Sequence, residues 1–226
     1  PPMPTPLLRM MRHVPPAQLA RRGALTAKRR ARRALEQAFP GRIRRPVRAT
    51  PRREAWPISP LPPRHTGPPT VLGGALDLAG PVDWAPAWAP PNTLERIVLH
   101  EHRFLRIVED DTFERVVLDW IEAVPPYGPD YWVGAWNSYA LAIRVTVWMQ
   151  ELARRGIAGA ARAAITRSIG EQLTFLAHNL ETDLGGNHLI TDLVALAWGA
   201  ACFEGPEARD WARRVEALLP GELERQ

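Results

Sequence analysis

The sequence is short of cysteine, of lysine and of long apolar runs, and the first and last of these shortages each exclude a class of protein. One cysteine, Cys202, occurs in 226 residues, which excludes a disulfide framework and a cysteine-built metal site. No apolar run reaches the roughly 20 residues needed to cross a bilayer. Lys28 is the single lysine among 29 basic residues. Because 46% of the residues are hydrophobic, the chain can still build one good-sized domain with an appendage.

Acidic residues are almost absent from the first 53 positions, which hold 15 of the 29 basic residues and one acid, Glu36. The rest of the chain has 14 basic and 23 acidic residues, a net charge of about −9. The overall charge of +5 therefore belongs to an N-terminal arm. Such an arm suits nucleic acid, but it has few aromatic residues for stacking and no DNA-binding motif. A solvated or partner-docking segment is the preferred interpretation, and nucleic acid is not the expected partner.

Prolines divide the chain, because nineteen of the 24 lie in residues 1–91. Helices cannot run far through that density of prolines. One exception is the stretch 17–39, rich in Ala, Arg and Leu, which predicts a basic amphipathic helix. Residues 40–70 predict an irregular linker, and residues 71–91 predict an extended segment pinned to a surface by two tryptophans.

From residue 92 onward, apolar residues recur with helical spacing and no segment alternates with period two. Capping boxes at 92–95 and 111–114 predict the first two helix starts. Further helices are predicted over 138–155, 158–180 and 187–203, then from Pro206, with one more beginning at Pro220. The sequence thus predicts an all-α body of antiparallel helices in residues 71–226, preceded by a Pro/Arg-rich arm and linker in residues 1–70.

A glycine pair followed by an amide and an imidazole marks the start of the helix predicted over 187–203. Asn187 and His188 precede about ten mostly apolar residues. A helix N-terminus has unpaired N–H groups and about half a positive charge, so these two side chains are well placed to hold an anionic group. The alternative is that Asn187 serves only as the N-cap.

Few residues support a metal site or a catalytic nucleophile. The His-Glu-His run at 100–102 resembles the start of a helical zinc motif, but the position four residues after its first histidine is Phe104. His178 and His188 flank an acidic loop, which is a common arrangement. Cys202 has no histidine within a helical turn, and no Gly-x-Ser-x-Gly or phosphate-loop pattern occurs. We expect no metal site and no cofactor.

An ordered series of motifs suggests a family. Trp136-Asn-Ser-Tyr139 leads into Arg144-Val-Thr-Val-Trp148, and Asn179-Leu-Glu181 is followed by Gly186-Asn-His-Leu-Ile, then Trp211 and Glu222-Leu. Two further segments, Leu8–Leu19 and Gly80–Leu94, look like the family's lead-in. Together they cover most of the chain and resemble the N-terminal helical domain of heparinase II/III-like polysaccharide lyases.

The resemblance implies a partial α/α toroid, followed in the family by a β-sandwich, and cleavage of uronic-acid-containing polysaccharides by β-elimination. The proton lost in that reaction lies next to the uronate carboxylate, whose charge must be neutralised as the proton leaves. By resemblance Asn187 does this, with His188 beside it. Arg144 would face the same cleft and bind a carboxylate or sulfate bidentately. Tyr139 and Trp136 would stack on sugar rings or pack between helices. The implied partner is an acidic polysaccharide.

The sequence also departs from the family. Ala142 and Val147 replace a family Ser and Asn, and Asp192 stands where an Asn is often found. The family's catalytic Tyr and His are expected beyond Gln226, so we expect no lyase activity from these 226 residues alone. A non-catalytic helical module that holds an acidic glycan or a partner protein is the alternative function. The resemblance implies a periplasmic or secreted protein, but residues 7–19 are too polar for a signal peptide, which leaves a cytoplasmic location open. The polysaccharide and the oligomeric state also stay open.

Overall fold

A computed structural model describes residues 16–40, 42, 46–53, 56–57, 69–72, 74–91, 93–128 and 131–225. Within them the fold is all-α, as predicted. The helices are α1 (Pro16–Ala38), α2 (Leu94–Leu99), α3 (Asp110–Ala123), α4 (Ser138–Arg154), α5 (Gly159–Ala177), α6 (Gly186–Cys202) and α7 (Pro206–Leu223). The strands are β1 (Thr50–Pro51), β2 (Thr70–Val71), β3 (Gly74–Ala75) and β4 (Phe203–Glu204), and 3₁₀ turns lie at Arg103–Ile107 and Tyr131–Val133. The lead-in predicted at residues 8–15 lies outside the described residues.

Most helix ends lie close to their predicted positions, but three starts are corrected. The N-cap of α2 is Thr93, whose hydroxyl accepts the N–H of Arg96. α3 begins at Asp110 after the N-cap Glu109, so residues 111–114 lie inside the helix and are not a capping box. α7 runs through Pro220, and the new helix predicted there is wrong. A proline at this position removes one helical hydrogen bond and crowds the carbonyl four residues before it, and α7 ends three residues later.

The predicted irregular linker is anchored to the helical body. β1 pairs antiparallel with β4, so that Thr50 lies opposite Glu204 and Pro51 opposite Phe203. Further along, Trp56 is buried and its ring centroid lies 5.5 Å from that of Phe203. These contacts hold part of the linker against the end of α6.

The segment before α2 is held by its aromatic residues, as its sequence predicted. The Trp84 side chain is buried, and its Nε1–H donates to Asp119 of α3 at 2.7 Å. Trp88 lies directly over Gly74, where an added Cβ would come within 2.8 Å of the indole ring. β2 and β3 form a short antiparallel hairpin beside it.

α4 lies at the centre of the hydrophobic core, since most of its residues are buried. It packs against α5 and α6, while α5 also contacts α3, α6 and α7, and α6 contacts α7. Each helix from α4 onward therefore contacts the next helix and, where there is one, the helix after that. None of the described helices combines the length and the hydropathy that a membrane crossing requires.

Gly199 of α6 lies in close contact with side chains of α5 and α7. A Cβ at Gly199 would lie 2.6 Å from Cδ1 of Leu173 and 3.1 Å from the ring of Trp211. We expect Gly199→Ala to lower the free energy of unfolding by about 1–2 kcal/mol, because overpacking outweighs the gain in helix propensity. Gly23→Ala in α1 is the control, since a Cβ there meets nothing within 4 Å. Urea denaturation measures both, and an unchanged Gly199→Ala would contradict the packing described here.

Candidate functional site

The turn before α6 is built from two glycines in the left-handed region. Gly185 and Gly186 have φ values of +64° and +55°, which glycine adopts without steric cost. Gly185 is the N-cap of α6. The proposal that Asn187 is the N-cap is therefore wrong, and its side chain is left for another role.

A carboxylate already occupies part of the helix N-terminus. Glu222 of α7 accepts the Gly186 N–H on Oε1 at 2.7 Å. Its other oxygen accepts from Arg225, and that bond together with the Gly186 N–H lowers the pKa of Glu222. The expectation that α6 offers open N–H groups to an anion is thus corrected at Gly186, where Glu222 has taken the place of an external anion.

Four side chains form what we call the α6 entrance site: Asn187, His188, Tyr139 and Glu181. The Asn187 side chain is exposed, and no described residue hydrogen-bonds to its amide. His188 is about half exposed, with Nδ1 2.9 Å from Oε2 of Glu181. The ring of Tyr139 lies 4.8 Å from the imidazole, centroid to centroid. Two of the predicted site residues, His188 and Tyr139, therefore lie together, and Asn187 precedes His188 in the first turn of α6.

Glu181 fixes the orientation of His188. When Glu181 is ionised, it accepts a proton-bearing Nδ1, so the neutral imidazole keeps Nε2 as its acceptor and the protonated ring donates from Nε2. Glu181 itself is almost buried at a side-chain exposure of 9%. Its carbonyl accepts the N–H groups of Leu184 and Gly185, which closes the turn. The site is therefore a pre-oriented imidazole next to an exposed amide.

Asp192 holds the backbone of Glu181 in place. Its Oδ2 accepts the Glu181 backbone N–H at 2.9 Å, and its side chain is fully buried in α6. Burial raises the pKa of Asp192 well above its ordinary value, the Glu181 N–H opposes that rise and the Glu181 charge adds to it.

Arg144 does not face the site, which corrects the prediction drawn from the resemblance. The residue is completely buried. Its Nε donates to Gln172 of α5, and its Nη1 donates to the carbonyls of His100 and Ala135, each at 2.8 Å. The guanidinium also lies 4.0 Å above the ring of Trp120. Arg144 therefore joins core elements and is not available to a ligand.

His100 and His102 complete this buried cluster as hydrogen-bond acceptors. Nδ1 of His100 accepts from Trp120, and Nδ1 of His102 accepts from Trp148. Burial and the Arg144 charge lower the pKa of His100 to about 3 and lower that of His102 far below its ordinary value. Both imidazoles are neutral at ordinary pH. No cluster of three or more potential metal-ligating side chains occurs among the described residues.

Trp136, the remaining predicted residue, is 4% exposed and separate from His188. Its Nε1–H donates to the Val124 carbonyl, and its ring lies 5.1 Å from that of Phe175. Of the two predicted roles for Trp136, packing between helices therefore accounts for most of its side-chain surface. Cys202 is also buried, and burial raises the pKa of its thiol to about 12, so it is not a nucleophile.

Sequence reasoning left Glu181 and Glu222 out of the site. Glu181 stands seven residues before His188, and no local periodicity predicts a contact across a glycine turn. Glu222 is 36 residues from Gly186, so only the packing of α7 against α6 reveals its role. The one local signal was the glycine pair, which predicts a tight turn but not its partners.

Comparison with protein-family models finds no family that matches the chain. Searches of the curated proteins and of the solved structures likewise find no match.

The raised pKa of Asp192 gives stability a pH dependence. The folded-state pKa is raised, so the unfolded chain releases this proton at lower pH than the folded chain does. The contribution of Asp192 is complete below its unfolded pKa and is lost as pH rises toward its folded pKa. We expect Asp192→Asn to gain stability relative to the parent as pH rises from 5 to 8. Thermal unfolding at each pH measures this.

Asp210→Asn supplies a control whose pH dependence lies outside this range. Hydrogen bonding to Arg214 lowers the pKa of Asp210, so its contribution is complete above the unfolded pKa and is lost only toward acid. Between pH 5 and 8 this variant should therefore differ from the parent by a small and constant amount. A pH-independent difference between Asp192→Asn and the parent would show that Asp192 is ionised in the fold.

Removal of Arg144 tests its assignment to the core. Arg144→Ala leaves three oxygen acceptors without their donor and opens a cavity under Trp120, so we expect a loss of at least about 3 kcal/mol in the free energy of unfolding. Arg213→Ala, at an exposed arginine of α7, should stay within about 0.5 kcal/mol of the parent. Equal stability of the two variants would return Arg144 to the list of candidate ligand-binding residues.

Proposed function

We propose that the chain supplies the carboxylate-binding part of an enzyme that cleaves uronic-acid-containing polysaccharides by β-elimination. The observation that carries the proposal is the α6 entrance site: an exposed, unengaged amide beside an imidazole held by a carboxylate. The ordered motifs that resemble heparinase II/III-like lyases give the same assignment for Asn187 and His188. Arg144 is no longer part of the proposed site.

The chemistry of the site matches the demand of the reaction. In the proposal, the Asn187 amide N–H groups donate to the uronate carboxylate, which withdraws charge as the neighbouring C–H proton leaves. A protonated His188 donates from Nε2 to the same carboxylate or to an adjacent oxygen. Glu181 keeps the ring in place, and Tyr139 lies where its ring can contact a sugar. Pre-orientation by Glu181 reduces the ordering cost that binding would otherwise carry.

The helix contacts support the toroid part of the proposal. In an α/α toroid, alternate helices form an inner and an outer layer, so each helix contacts its successor and the one beyond. The contacts of α4 with α6 and of α5 with α3 and α7 follow that pattern. We propose α4 and α6 as inner helices, which places the α6 N-terminus at the mouth of a central cleft.

Binding of an acidic oligosaccharide tests the site directly. We expect Asn187→Ala and His188→Ala each to weaken binding of a tetra-uronate by about tenfold, since each removes one hydrogen bond to a charged group. Gln37→Ala, at an exposed amide of α1, should change the affinity less than twofold. Isothermal titration calorimetry with the tetra-uronate, and with its carboxyl-reduced neutral form, provides the measurement.

The neutral oligosaccharide separates carboxylate recognition from general sugar binding. Its affinity should be weak and should not change in Asn187→Ala. If Asn187→Ala binds the tetra-uronate as the parent does, the carboxylate role of this amide is wrong. If the parent binds charged and neutral oligosaccharides equally, recognition of a uronate by this chain is excluded.

A further inference from the structure

A second candidate site lies under the N-terminal helix. A cavity of about 390 Å³ separates α1 from the helical body, a volume within the range of small-molecule sites. Its lining divides into an aromatic wall from the body (Tyr127, Tyr131, Trp136, Phe175) and a basic wall from α1 (Lys28, Arg29, Arg32). An apolar wall facing a cationic wall is the arrangement that suits an amphipathic anion.

The aromatic wall is a set of rings in mutual contact. The ring of Tyr131 lies 5.2 Å from that of Tyr127 and 5.9 Å from that of Phe175, and Trp136 lies 5.1 Å from Phe175. These centroid distances are those of mutually packed rings. Burial and the neighbouring Tyr127 raise the pKa of Tyr131 to about 12, so its hydroxyl is a neutral donor. The wall offers ring faces and edges together with a hydroxyl.

The basic wall carries positive charge that its own surroundings do not balance. Lys28, Arg29 and Arg32 line the cavity with a single carboxylate, that of Glu171. Burial lowers the pKa of Lys28, and the charges of Arg32, Arg29 and Arg214 lower it further. Nζ of Lys28 also donates to the carbonyl of His178, which ties α1 to the end of α5. Because like charges converge here, an anion in the cavity would relieve their repulsion.

Two short chain segments connect the lining of the cavity with residues of the α6 entrance site. Trp136 stands three residues before Tyr139, and Asn179, also in the lining, stands two residues before Glu181. Oγ of Ser138 donates to the carbonyl of Asn179 at 2.7 Å, which fastens one segment to the other.

We propose that the cavity binds a second acidic sugar unit of the same polysaccharide, between the aromatic wall and the guanidinium groups of Arg29 and Arg32. The sugar ring packs on the aromatic side chains, and its carboxylate or sulfate faces α1. The basic arm is then a clamp on the polymer. This inference rests on the proposed function for the nature of the ligand, but it is carried by different residues.

The test uses the tetra-uronate as probe and two double variants of equal charge. Arg29→Ala with Arg32→Ala removes two of the three cations that line the cavity and should weaken binding by about tenfold. Arg30→Ala with Arg213→Ala removes two exposed arginines that do not line the cavity, and it should change the affinity less than twofold. Circular dichroism confirms that both variants keep their helices.

Three outcomes decide between the sites. If Asn187→Ala is without effect and only the lining variant loses affinity, the cavity proposal stands and the proposed function fails. If Asn187→Ala weakens binding while the lining variant matches the control variant and the parent, the cavity proposal is overturned and the entrance site stands. Equal losses in the two double variants show a general charge effect of the surface, which also overturns the cavity proposal.

Discussion

The buried guanidinium of Arg144 is the interaction on which the helical body depends. It joins α4 to Gln172 of α5 and reaches the carbonyl at the end of α2 and another before α4, while Trp120 covers its face. A buried charge is tolerated only when its hydrogen bonds are satisfied, and these acceptors satisfy most of them. Burial and the Arg144 charge together keep His100 and His102 neutral, so this cluster has one cation and two imidazole acceptors in place of three competing charges.

This role changes how an anionic ligand would be held. Arginine was the strongest anion-binding group that the sequence offered to the α6 entrance site, and the fold uses it elsewhere. Glu222 likewise takes the Gly186 N–H at the helix N-terminus. What faces solvent is an amide and an imidazole, which would hold an anion by hydrogen bonds and not by a fixed positive charge. Stronger electrostatic attraction for an anion would have to come from another surface, and the helix richest in arginine is α1.

The sequence predicted the class of fold because its evidence is local. Helical periodicity and proline density gave the all-α body and the helix of the arm, and the pair Gly205-Pro206 correctly placed the start of α7. The prediction failed for side chains whose hydrogen-bond partners are distant in sequence. Nothing near Arg144 in sequence distinguishes a cleft from a core, since its acceptors lie 9, 28 and 44 residues away. Asn187 was predicted as the N-cap, but Gly185 and Gly186 have positive φ values and α6 begins at Gly186, with Gly185 as its N-cap.

A line of polar contacts connects the core to the surface at this point. Asp192 is buried and holds the Glu181 backbone, Glu181 is nearly buried and holds His188, and His188 is half exposed against Tyr139. Ionisation of Asp192 would place a second negative charge beside Glu181, and burial opposes this by raising the pKa of Asp192. The orientation of the exposed imidazole therefore depends on the packing of α6. A substitution that changes this packing would alter the orientation of His188 even if the substituted residue touches no ligand.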